Sequence, residues 1–395
     1  MTQTPLANRE HIAIFGNTNA GKSSLFNMIL NQDAAIVSEK HGTTTDPVIR
    51  AMELIPFGPI ALIDTAGIND KTVLGDVRTK KTQQILSRTD FALYLAPCNA
   101  FDNSDYAEFL KGLEDFQIEH ILIFTKTDLV SAQELEALKS AWPKAVFTSI
   151  NDLESILSLK ERLSTELAKG QKEESILGDL LPEGSTVLMV VPCDSEAPKG
   201  RLILPQVQLI RDCLDNGFKV AVSRELELAE MLQNLKQVDL VVTDSQAFKL
   251  VSEIVPTDIK LCSFSILFGR HKGDIGEYIK GAAAIGRLKP DAKIAITEGC
   301  THNHTHEDIG QVKIPNWLRS KAGEALSFDF YAGHDFPEHP EEYDLVVQCG
   351  GCMQNRRAIL HRINLCKKVG VPITNYGILI AEINGILQRS TELFK

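Results

Sequence analysis

The stretch GNTNAGKS, residues 16–23, lies between the apolar run IAIF and the amphipathic segment SSLFNMIL. It matches the pattern GxxxxGK[ST] in the order strand, glycine-rich loop, helix. In this pattern backbone N–H groups and the helix N-terminus bind phosphate, the lysine reaches the β and γ phosphates, and the serine binds Mg²⁺. The expected nucleotide contacts are Gly16, Asn17, Asn19, Ala20, Gly21, Lys22, Ser23 and Ser24. The stretch therefore predicts a P-loop domain.

A second motif, DTAG at residues 64–67, ends the apolar run IALI. In that position Asp64 would hold Mg²⁺ through a water molecule, and the amide of Gly67 would contact the γ-phosphate. On its own, DTAG is equally typical of an ordinary turn at the end of a strand. After a P-loop, it favours a nucleoside triphosphatase.

A third motif, TKTD at residues 125–128, follows the apolar run ILIF and concerns the base. The carboxylate of Asp128 can accept hydrogen bonds from N1–H and N2–H₂ of guanine, while the aliphatic part of Lys126 covers the ring. The segment TSI (148–150) would present the backbone of Ser149 near the base. GTP and GDP are therefore the expected ligands.

Together these motifs resemble those of the translation-factor class of GTPases, in which the third motif is usually NKxD. Thr125 departs from that pattern, so guanine selectivity would rest chiefly on Asp128. The segment GTTTD (42–46) resembles switch I of GTPases related to the tRNA-modification protein MnmE and to Era. That resemblance implies Thr44, with Thr43 as its competitor, as the threonine at Mg²⁺ and the γ-phosphate.

The same resemblance bears on catalysis. Asn19 stands where the potassium-dependent members carry an asparagine that helps to coordinate a monovalent cation, so we expect stimulation by K⁺. Ile68 occupies the position that Ras-type enzymes use for a glutamine, and it cannot orient water through a hydrogen bond. The residues expected to act at the phosphates are Lys22, Ser23, Thr44 and Asp64. Slow turnover, as in a switch, is the expected result.

The whole chain has the composition of an ordinary globular protein. Its 395 residues are 44% hydrophobic and 24% charged, and the length predicts two or three domains. A net charge of -11 argues against broad binding of nucleic acid. The first residues lack the apolar segment of a signal peptide, and no apolar run approaches the length of a membrane span. We therefore expect a cytoplasmic protein.

Strand and helix patterns alternate along the chain and predict an α/β fold, in which a P-loop GTPase domain is followed by two smaller α/β domains with mainly parallel sheets. The expected domains are residues 1–170 (GTPase), 171–260 (central) and 261–395 (cysteine-containing). The expected strands after the first domain are VLMVV (187–191), KVAVS (219–223), DLVVTD (239–244), KIAIT (293–297), DLVVQ (344–348) and PIT (372–374). Parallel neighbours would bring their carboxyl ends to one sheet edge.

Three of the eight cysteines lie in a setting typical of ligands. Cys300 follows KIAIT within EGCTHNHTHED (298–308), and Cys349 and Cys352 follow DLVVQ in the motif QCGGC. Two cysteines separated by two residues bind one metal ion or cluster, and a third thiolate from another strand end completes a three-cysteine face. Neighbouring glycines allow amide-to-sulfur hydrogen bonds, which favours a cluster. Spacing alone leaves zinc, an iron–sulfur cluster and a redox pair open.

The order of the motifs resembles the HydF family, the maturation GTPases of FeFe-hydrogenase. A GTPase of the MnmE and Era type is followed by a small α/β segment and a CxH…CxxC tail, so the resemblance covers essentially the whole chain. It implies a 4Fe–4S cluster bound by Cys300, Cys349 and Cys352, with a fourth iron site that is open or weakly bound. The candidates for a weak fourth ligand are His302, which matches the histidine of the family, and His304, His306, Glu307 and Asp308.

The resemblance also implies a role and partners. Members of the family act as scaffold and carrier: they receive a diiron precursor with CO and CN⁻ ligands, made with the radical-SAM maturases HydE and HydG, and deliver it to the apo-hydrogenase. The central domain mediates dimerisation in the family, so a homodimer or a larger homo-oligomer is expected. GTP hydrolysis would control the exchange of partners.

Two other functions fit parts of the sequence. A GTPase of RNA modification or ribosome assembly with a structural zinc site would explain the first domain and the cysteines, but a net charge of -11 counts against RNA binding. A redox sensor would use Cys349 and Cys352 as a reversible disulfide. Neither function explains all the motifs together.

Overall fold

The computed structural model describes residues 4–31, 47–65, 82–114, 116–170, 175–192, 200, 202–299 and 308–395. The chain forms two compact units, Met1–Lys172 and Glu173–Lys395. Some of the expected site residues lie outside the described ranges: Thr43, Thr44, Gly67, Ile68, Cys300, His302, His304, His306 and Glu307. Among the described residues, no helix is both long and apolar enough to cross a bilayer.

The first unit is built on a six-stranded sheet. Its strands are β1 (Glu10–Gly16), β2 (Val48–Leu54), β3 (Gly58–Asp64), β4 (Phe91–Pro97), β5 (Glu119–Thr125) and β6 (Val146–Phe147), in the order β2-β3-β1-β4-β5-β6. All neighbouring pairs are parallel except β2 and β3, which are antiparallel. The carboxyl ends of the five parallel strands therefore share one edge, where the nucleotide motifs are expected.

Helices cover both faces of this sheet. They are α1 (Lys22–Asn31), α2 (Asn103–Glu114), α3 (Ala132–Ala141) and α4 (Leu153–Gly170). Along β1, Ile12 and Ile14 pack into the core on one face with α1 and α4, while Phe15 packs into the core on the other face with α2. A strand buried on both faces reads as a continuous apolar run, which is why IAIF and ILIF were recognisable as strands.

The second unit contains two four-stranded parallel sheets. The first has β7 (Thr186–Val190), β8 (Lys219–Ser223), β9 (Leu240–Thr243) and β10 (Lys260–Ser263), in the order β10-β9-β7-β8. The second has β11 (Lys293–Glu298), β12 (Ser327–Ala332), β13 (Leu345–Gln348) and β14 (Ile373–Asn375), in the order β12-β11-β13-β14. In both, the first strand along the chain lies between the second and the third. The two sheets therefore have the same topology.

The helices of this unit join the two sheets into one core. They are α5 (Leu204–Asp215), α6 (Leu228–Asn234), α7 (Phe248–Ile254), α8 (Phe264–Lys272), α9 (Ile275–Ala282), α10 (Ile314–Ala322), α11 (Arg356–Val369), α12 (Tyr376–Ile383) and α13 (Leu387–Thr391). Ser263 caps α8 and Asn375 caps α12, each at the end of the last strand of its sheet. Asn375 Nδ2 also donates to the backbone oxygen of Ser265, 3.0 Å away. The two helix starts are thus held together.

The predicted α/β class with mainly parallel sheets is confirmed. The expected limit between the second and third domains, after residue 260, falls at the first residue of β10, which pairs with β9. The exact domain limits remain predictions.

Candidate functional site

The GNTNAGKS loop leaves the sheet at the end of β1 and leads into α1. Gly16, Asn19 and Gly21 have φ angles of 138°, 62° and 93°. A Cβ added to Gly16 would lie 2.3 Å from the backbone oxygen of Leu95, so this position requires glycine. Asparagine is among the few other residues that adopt the left-handed conformation seen at Asn19. The residues of the loop are therefore those that its backbone conformation requires.

Lys22 lies folded over this loop. Only 7% of the residue is exposed, and its Nζ donates to the backbone oxygens of Gly16 and Asn17 at 2.8 and 2.9 Å. Burial lowers the pKa of Lys22, and the nearby carboxylate of Asp64 opposes that change. Ser23 in the first turn of α1 is exposed. The start of the helix is therefore open to phosphate and to a metal ion, as the motif requires.

Asp64 ends β3, where it pairs in register with Ile14 of β1. The residue is 5% exposed. The next residue, Thr65, donates from Oγ1 to the backbone oxygen of Ile14 at 2.5 Å, which ties the start of DTAG to the strand that carries the P-loop. Asp64 therefore lies at the same sheet edge as Lys22.

The TKTD motif lies at the end of β5 and is tied to the P-loop. The buried hydroxyl of Thr125 donates to the backbone oxygen of Ala20 at 2.8 Å. Lys126 has a left-handed φ of 59°, and the N–H of Thr127 donates to the backbone oxygen of Thr148 at 3.4 Å. The expected base-binding motif and the phosphate-binding loop are thus connected by hydrogen bonds.

Both carboxylate oxygens of Asp128 accept hydrogen bonds from the segment after β6. Ser149 Oγ donates at 2.6 Å and Asn151 Nδ2 at 3.1 Å. The bond from Ser149 contributes most to lowering the pKa of Asp128. An ionised carboxylate is an acceptor only, which suits the N–H donors of guanine. Sequence reasoning pointed to the backbone of Ser149 and missed its side chain and Asn151, although the polar pair within TSIN was an available signal.

A second group of expected residues lies at the carboxyl edge of the third sheet. β11 and β13 are parallel neighbours, with Thr297 opposite Gln348. Gly299 follows β11, Cys349 follows β13, and the N–H of Gly299 donates to Cys349 Sγ at 3.0 Å. The residue that precedes Cys300 in the sequence therefore contacts the first cysteine of the CxxC motif.

The turn after β13 provides a site for a sulfur acceptor. Cys349 Sγ accepts a second hydrogen bond from the N–H of Gly351 at 3.4 Å. Burial raises the pKa of Cys349, and the two amides oppose that change because they stabilise the thiolate. Cys349 and Cys352 are free thiols, each partly exposed. The two thiols therefore lie at the carboxyl edge of the third sheet, and that of Cys349 accepts two backbone amides.

Two buried cations flank this turn. Lys272 at the end of α8 is 4% exposed and Arg362 in α11 is 3% exposed. Lys272 donates to backbone carbonyls of the CxxC turn, and Arg362 Nη2 donates to those of Gly333 and Asp335 at 3.0 and 3.2 Å. Among the described residues, Lys272 forms no ion pair with a carboxylate, whereas the carboxylate of Asp335 acts to raise the pKa of Arg362 against the effect of burial. Burial lowers the pKa of Lys272 to about 8, against the opposing effects of Cys352 and Cys349.

Buried polar atoms near the turn also lack partners among the described residues. They are Thr297 Oγ1, Gln348 Oε1, Gln354 Oε1 and Arg362 Nη1. Buried positive charge without a counter-ion is costly, and an anionic group at the cysteines would offset it. The side chains present therefore fit a thiolate-bound metal group. Among the described residues, no three metal-binding side chains come together, and Cys300 lies outside those residues.

Asp308 is the one candidate for the fourth ligand that lies in the described ranges. It is 6% exposed, and its Oδ1 accepts the N–H of Gln311 at 2.7 Å, which caps the π-helical turn Ile309–Lys313. Nearby, Tyr376 donates to Glu298 Oε1 at 3.0 Å. Asp308 therefore has a capping role in the structure, whatever else it binds.

Three family models match the chain. Residues 176–273 match the dimerisation domain of hydrogen maturase F, and residues 276–393 match the tetramerisation domain of hydrogen maturase F. Residues 11–126 match a model described as a 50S ribosome-binding GTPase. Together, the two hydrogen maturase F models match more than half of the chain.

Curated relatives match the first part of the chain. The tRNA modification GTPase MnmE of Bacteroides thetaiotaomicron is 36% identical over 167 residues, which cover 39% of this chain and 33% of the relative. MnmE of Mesoplasma florum is 32% identical over 154 residues, which cover 38% of this chain and 33% of the relative. The chain thus spans about a third of the length of these relatives.

Solved structures match part of the chain as well. The translation elongation factor SelB from Methanococcus maripaludis has a TM-score of 0.34 and 17% identity, covering 44% of this chain and 36% of that one. A variant of Era from Aquifex aeolicus, bound to GDP and AlF4⁻, has a TM-score of 0.32 and 18% identity, covering 54% of this chain and 93% of that one.

Proposed function

This chain belongs to the hydrogen maturase F family, and from that premise we propose that it is a GTPase that binds a 4Fe–4S cluster, receives the diiron precursor of the FeFe-hydrogenase active site and delivers it to the apo-hydrogenase. The GTPase domain and the cysteine turn lie in different units of the chain. The proposal therefore has two halves that can be tested separately.

The first half is the reaction GTP + H₂O to GDP + phosphate. Its support is that the P-loop, Asp64 and the TKTD motif meet at one sheet edge, and that this part of the chain resembles GTPases. Lys22 would stabilise charge on the β and γ phosphates. Mg²⁺ would be held by Ser23, Thr44 and, through water, Asp64, and K⁺ by Asn19. Asp128 would select guanine.

The second half rests on one observation above the others, the hydrogen bond from the N–H of Gly299 to Cys349 Sγ. It joins the strand end before Cys300 to the strand end that carries Cys349 and Cys352. A cluster bound by these three cysteines would offer one iron not saturated by thiolate to a ligand of the diiron cargo. The amides of Gly299 and Gly351 would stabilise the thiolates.

The partners follow from the same premise. The match to dimerisation and tetramerisation models supports self-association of this chain, as a homodimer or a larger homo-oligomer. HydE and HydG as donors, the apo-hydrogenase as acceptor and a cytoplasmic location complete the proposal. We include no membrane and no nucleic acid among the partners.

The experiment is anaerobic reconstitution with iron and sulfide, followed by EPR of the reduced protein. The parent chain should show a 4Fe–4S signal with S = 1/2, and Cys300→Ala, Cys349→Ala and Cys352→Ala should each lose or alter it. Cys98→Ala is the matched control, because Cys98 is a cysteine of the GTPase unit and should leave the signal unchanged.

A different outcome would favour the alternative function. A protein without an EPR signal that contains one zinc ion per chain, and that binds RNA, would be a GTPase of RNA modification or ribosome assembly with a structural zinc site. The similarity of the first part of the chain to tRNA modification GTPases is the observation behind this alternative. A metal-free protein whose GTPase activity depends on a disulfide would instead be a redox sensor.

A further inference from the structure

Lys272 connects the two sheets of the second unit at the cysteine turn. It is the last residue of α8, which follows the last strand of the first sheet, whereas the turn follows β13 of the other sheet. The residue is 4% exposed, which is rare for a lysine. A buried lysine needs polar partners, and here they are backbone oxygens within residues 351–354, at the end of the CxxC motif and just after it.

The partners of Lys272 match the donors of an ammonium group. Its Nζ lies 3.3 Å from the backbone oxygen of Gly351, 3.4 Å from that of Cys352 and 2.9 Å from that of Gln354. An ammonium has three N–H donors and no acceptor, so three carbonyl acceptors satisfy it completely. These carbonyls lie on both sides of Cys352, and their positions fix the path of the turn.

The end of α8 is itself held in place. Arg356 at the start of α11 donates from Nε to the backbone oxygen of His271 at 3.1 Å. At the other end of the helix, Asn375 donates to the backbone oxygen of Ser265. The helix is therefore anchored at both ends to the part of the chain that carries the cysteines, so Lys272 reaches the turn from a rigid support.

We propose that Lys272 is a positioning residue for the cysteine turn, and that its positive charge, placed beside Cys349 and Cys352 and paired with no carboxylate of the described residues, raises the reduction potential and slows the loss of the metal group bound there. This inference rests on the proposed function, because it assumes a 4Fe–4S cluster at the cysteines. A reduced cluster carries one more negative charge than an oxidised one. A nearby cation therefore stabilises the reduced form more.

The test uses the full chain after anaerobic reconstitution, with three substitutions. Lys272→Met removes the charge and keeps most of the side-chain length, whereas Lys272→Arg keeps the charge. Lys280→Met is the control, because Lys280 is an exposed lysine of the next helix that pairs with Glu277 at 2.7 Å. The measurements are iron content, an EPR titration against redox potential, and the rate of iron loss to a chelator.

We expect Lys272→Met to lower the ratio of reduced to oxidised cluster about tenfold at a given potential, which corresponds to about 59 mV for a one-electron couple. Iron loss should be faster in the same variant. Lys272→Arg should lie nearer the parent than Lys272→Met in potential, and Lys280→Met should equal the parent. A purely structural role would change thermal stability and iron content but not separate the Met and Arg variants in potential.

Each other outcome has a definite meaning. A parent chain that binds a cluster, with Lys272→Met unchanged in potential and in iron loss, overturns the inference and leaves the proposed function standing. A parent chain without any cluster signal overturns both. If Lys272→Met does not hold iron, Lys272→Gln replaces it in the titration, because glutamine keeps an N–H donor but carries no charge. An unchanged reduction potential in Lys272→Gln is equally decisive against the inference.

Discussion

The hydroxyl of Thr125 donates a hydrogen bond to the backbone oxygen of Ala20, 2.8 Å away, across the interior of the first unit. Thr125 stands where an asparagine is usual, and its side chain could contact either the base or the P-loop. In this structure Thr125 braces the P-loop. Threonine has no amide donor, so we predict that guanine selection rests on Asp128, whose carboxylate accepts hydrogen bonds from Ser149 and Asn151.

The brace predicts a nucleotide-binding defect. Thr125→Val removes the donor but keeps the shape, and it leaves a buried carbonyl of the P-loop unpaired, which costs about 1–3 kcal/mol. We expect the affinity for fluorescently labelled GDP to fall by about fivefold or more. Thr165→Val is the control, since Thr165 is an exposed residue of α4 whose hydroxyl bonds only within its helix. Equal affinities in the parent and Thr125→Val would show that the brace has no effect on binding.

The assignment of Asp128 predicts a change in base selectivity. Asp128→Asn replaces an acceptor by an amide that can both donate and accept, so it should disfavour guanine and tolerate xanthine. We expect affinity for GTP to fall by at least about tenfold, the loss of a hydrogen bond to a charged group, while affinity for xanthosine triphosphate rises. Competition binding measures both, and an unchanged preference for GTP would make the assignment of TKTD wrong.

The assignment of Asn19 predicts an effect of the monovalent cation. GTP hydrolysis by the parent should be faster in KCl than in NaCl at equal ionic strength. Asn19 has a φ of 62°, so Asn19→Gly removes the amide without straining the backbone. In that variant the rates in the two salts should become equal. Equal rates already in the parent would remove the role given to Asn19.

A close contact predicts a stability effect in the second unit. A Cβ added to Gly281 of α9 would lie 1.9 Å from the backbone oxygen of Ile373 in β14. Gly281→Ala should therefore lower the free energy of unfolding by about 1–3 kcal/mol, as overpacking does. Urea unfolding followed by the fluorescence of Trp317, in a Trp142→Phe background, measures it.

Gly286→Ala is the control for this prediction, because a Cβ at Gly286 meets no atom of the described residues within 4 Å, its chain neighbours aside. Its free energy of unfolding should equal that of the parent or rise slightly, since alanine restricts the unfolded chain. If the two alanine variants were equally stable, the packing of α9 on β14 would be looser than described.

Most strands could be predicted from the sequence as short apolar runs, whereas three of the described strands were not predicted. IAIF and ILIF became β1 and β5 because every position along them is apolar. The three that were not predicted are β2, β10 and β12. β2 is partly exposed along most of its length and pairs antiparallel to β3. β10 has only four residues, and β12 is an edge strand with the mixed sequence SFDFYA. Such segments resemble loops until their partners are known.

The nucleotide motifs could be assigned from sequence because their chemistry is local. The loop and its lysine are contiguous, and so are the residues of DTAG and TKTD. The buried cations around the cysteines could not be predicted from the sequence, because they come from distant parts of the chain. Nothing in the sequence singles out Lys272 or Arg362, and only the fold buries them beside the turn.

The hydrogen bonds of Lys272 limit which segments of this protein can be exchanged with those of a relative. The lysine lies within the segment that matches the dimerisation model, residues 176–273, while the turn that it holds lies in the segment that matches the tetramerisation model, residues 276–393. A recombination event or an engineered fusion that exchanged one segment at the seam between them would separate an ammonium from its three acceptors. The two segments therefore cannot be exchanged independently. A hybrid of two family members should keep the structure of the turn only when residue 272 can still donate to the backbone oxygens of that turn.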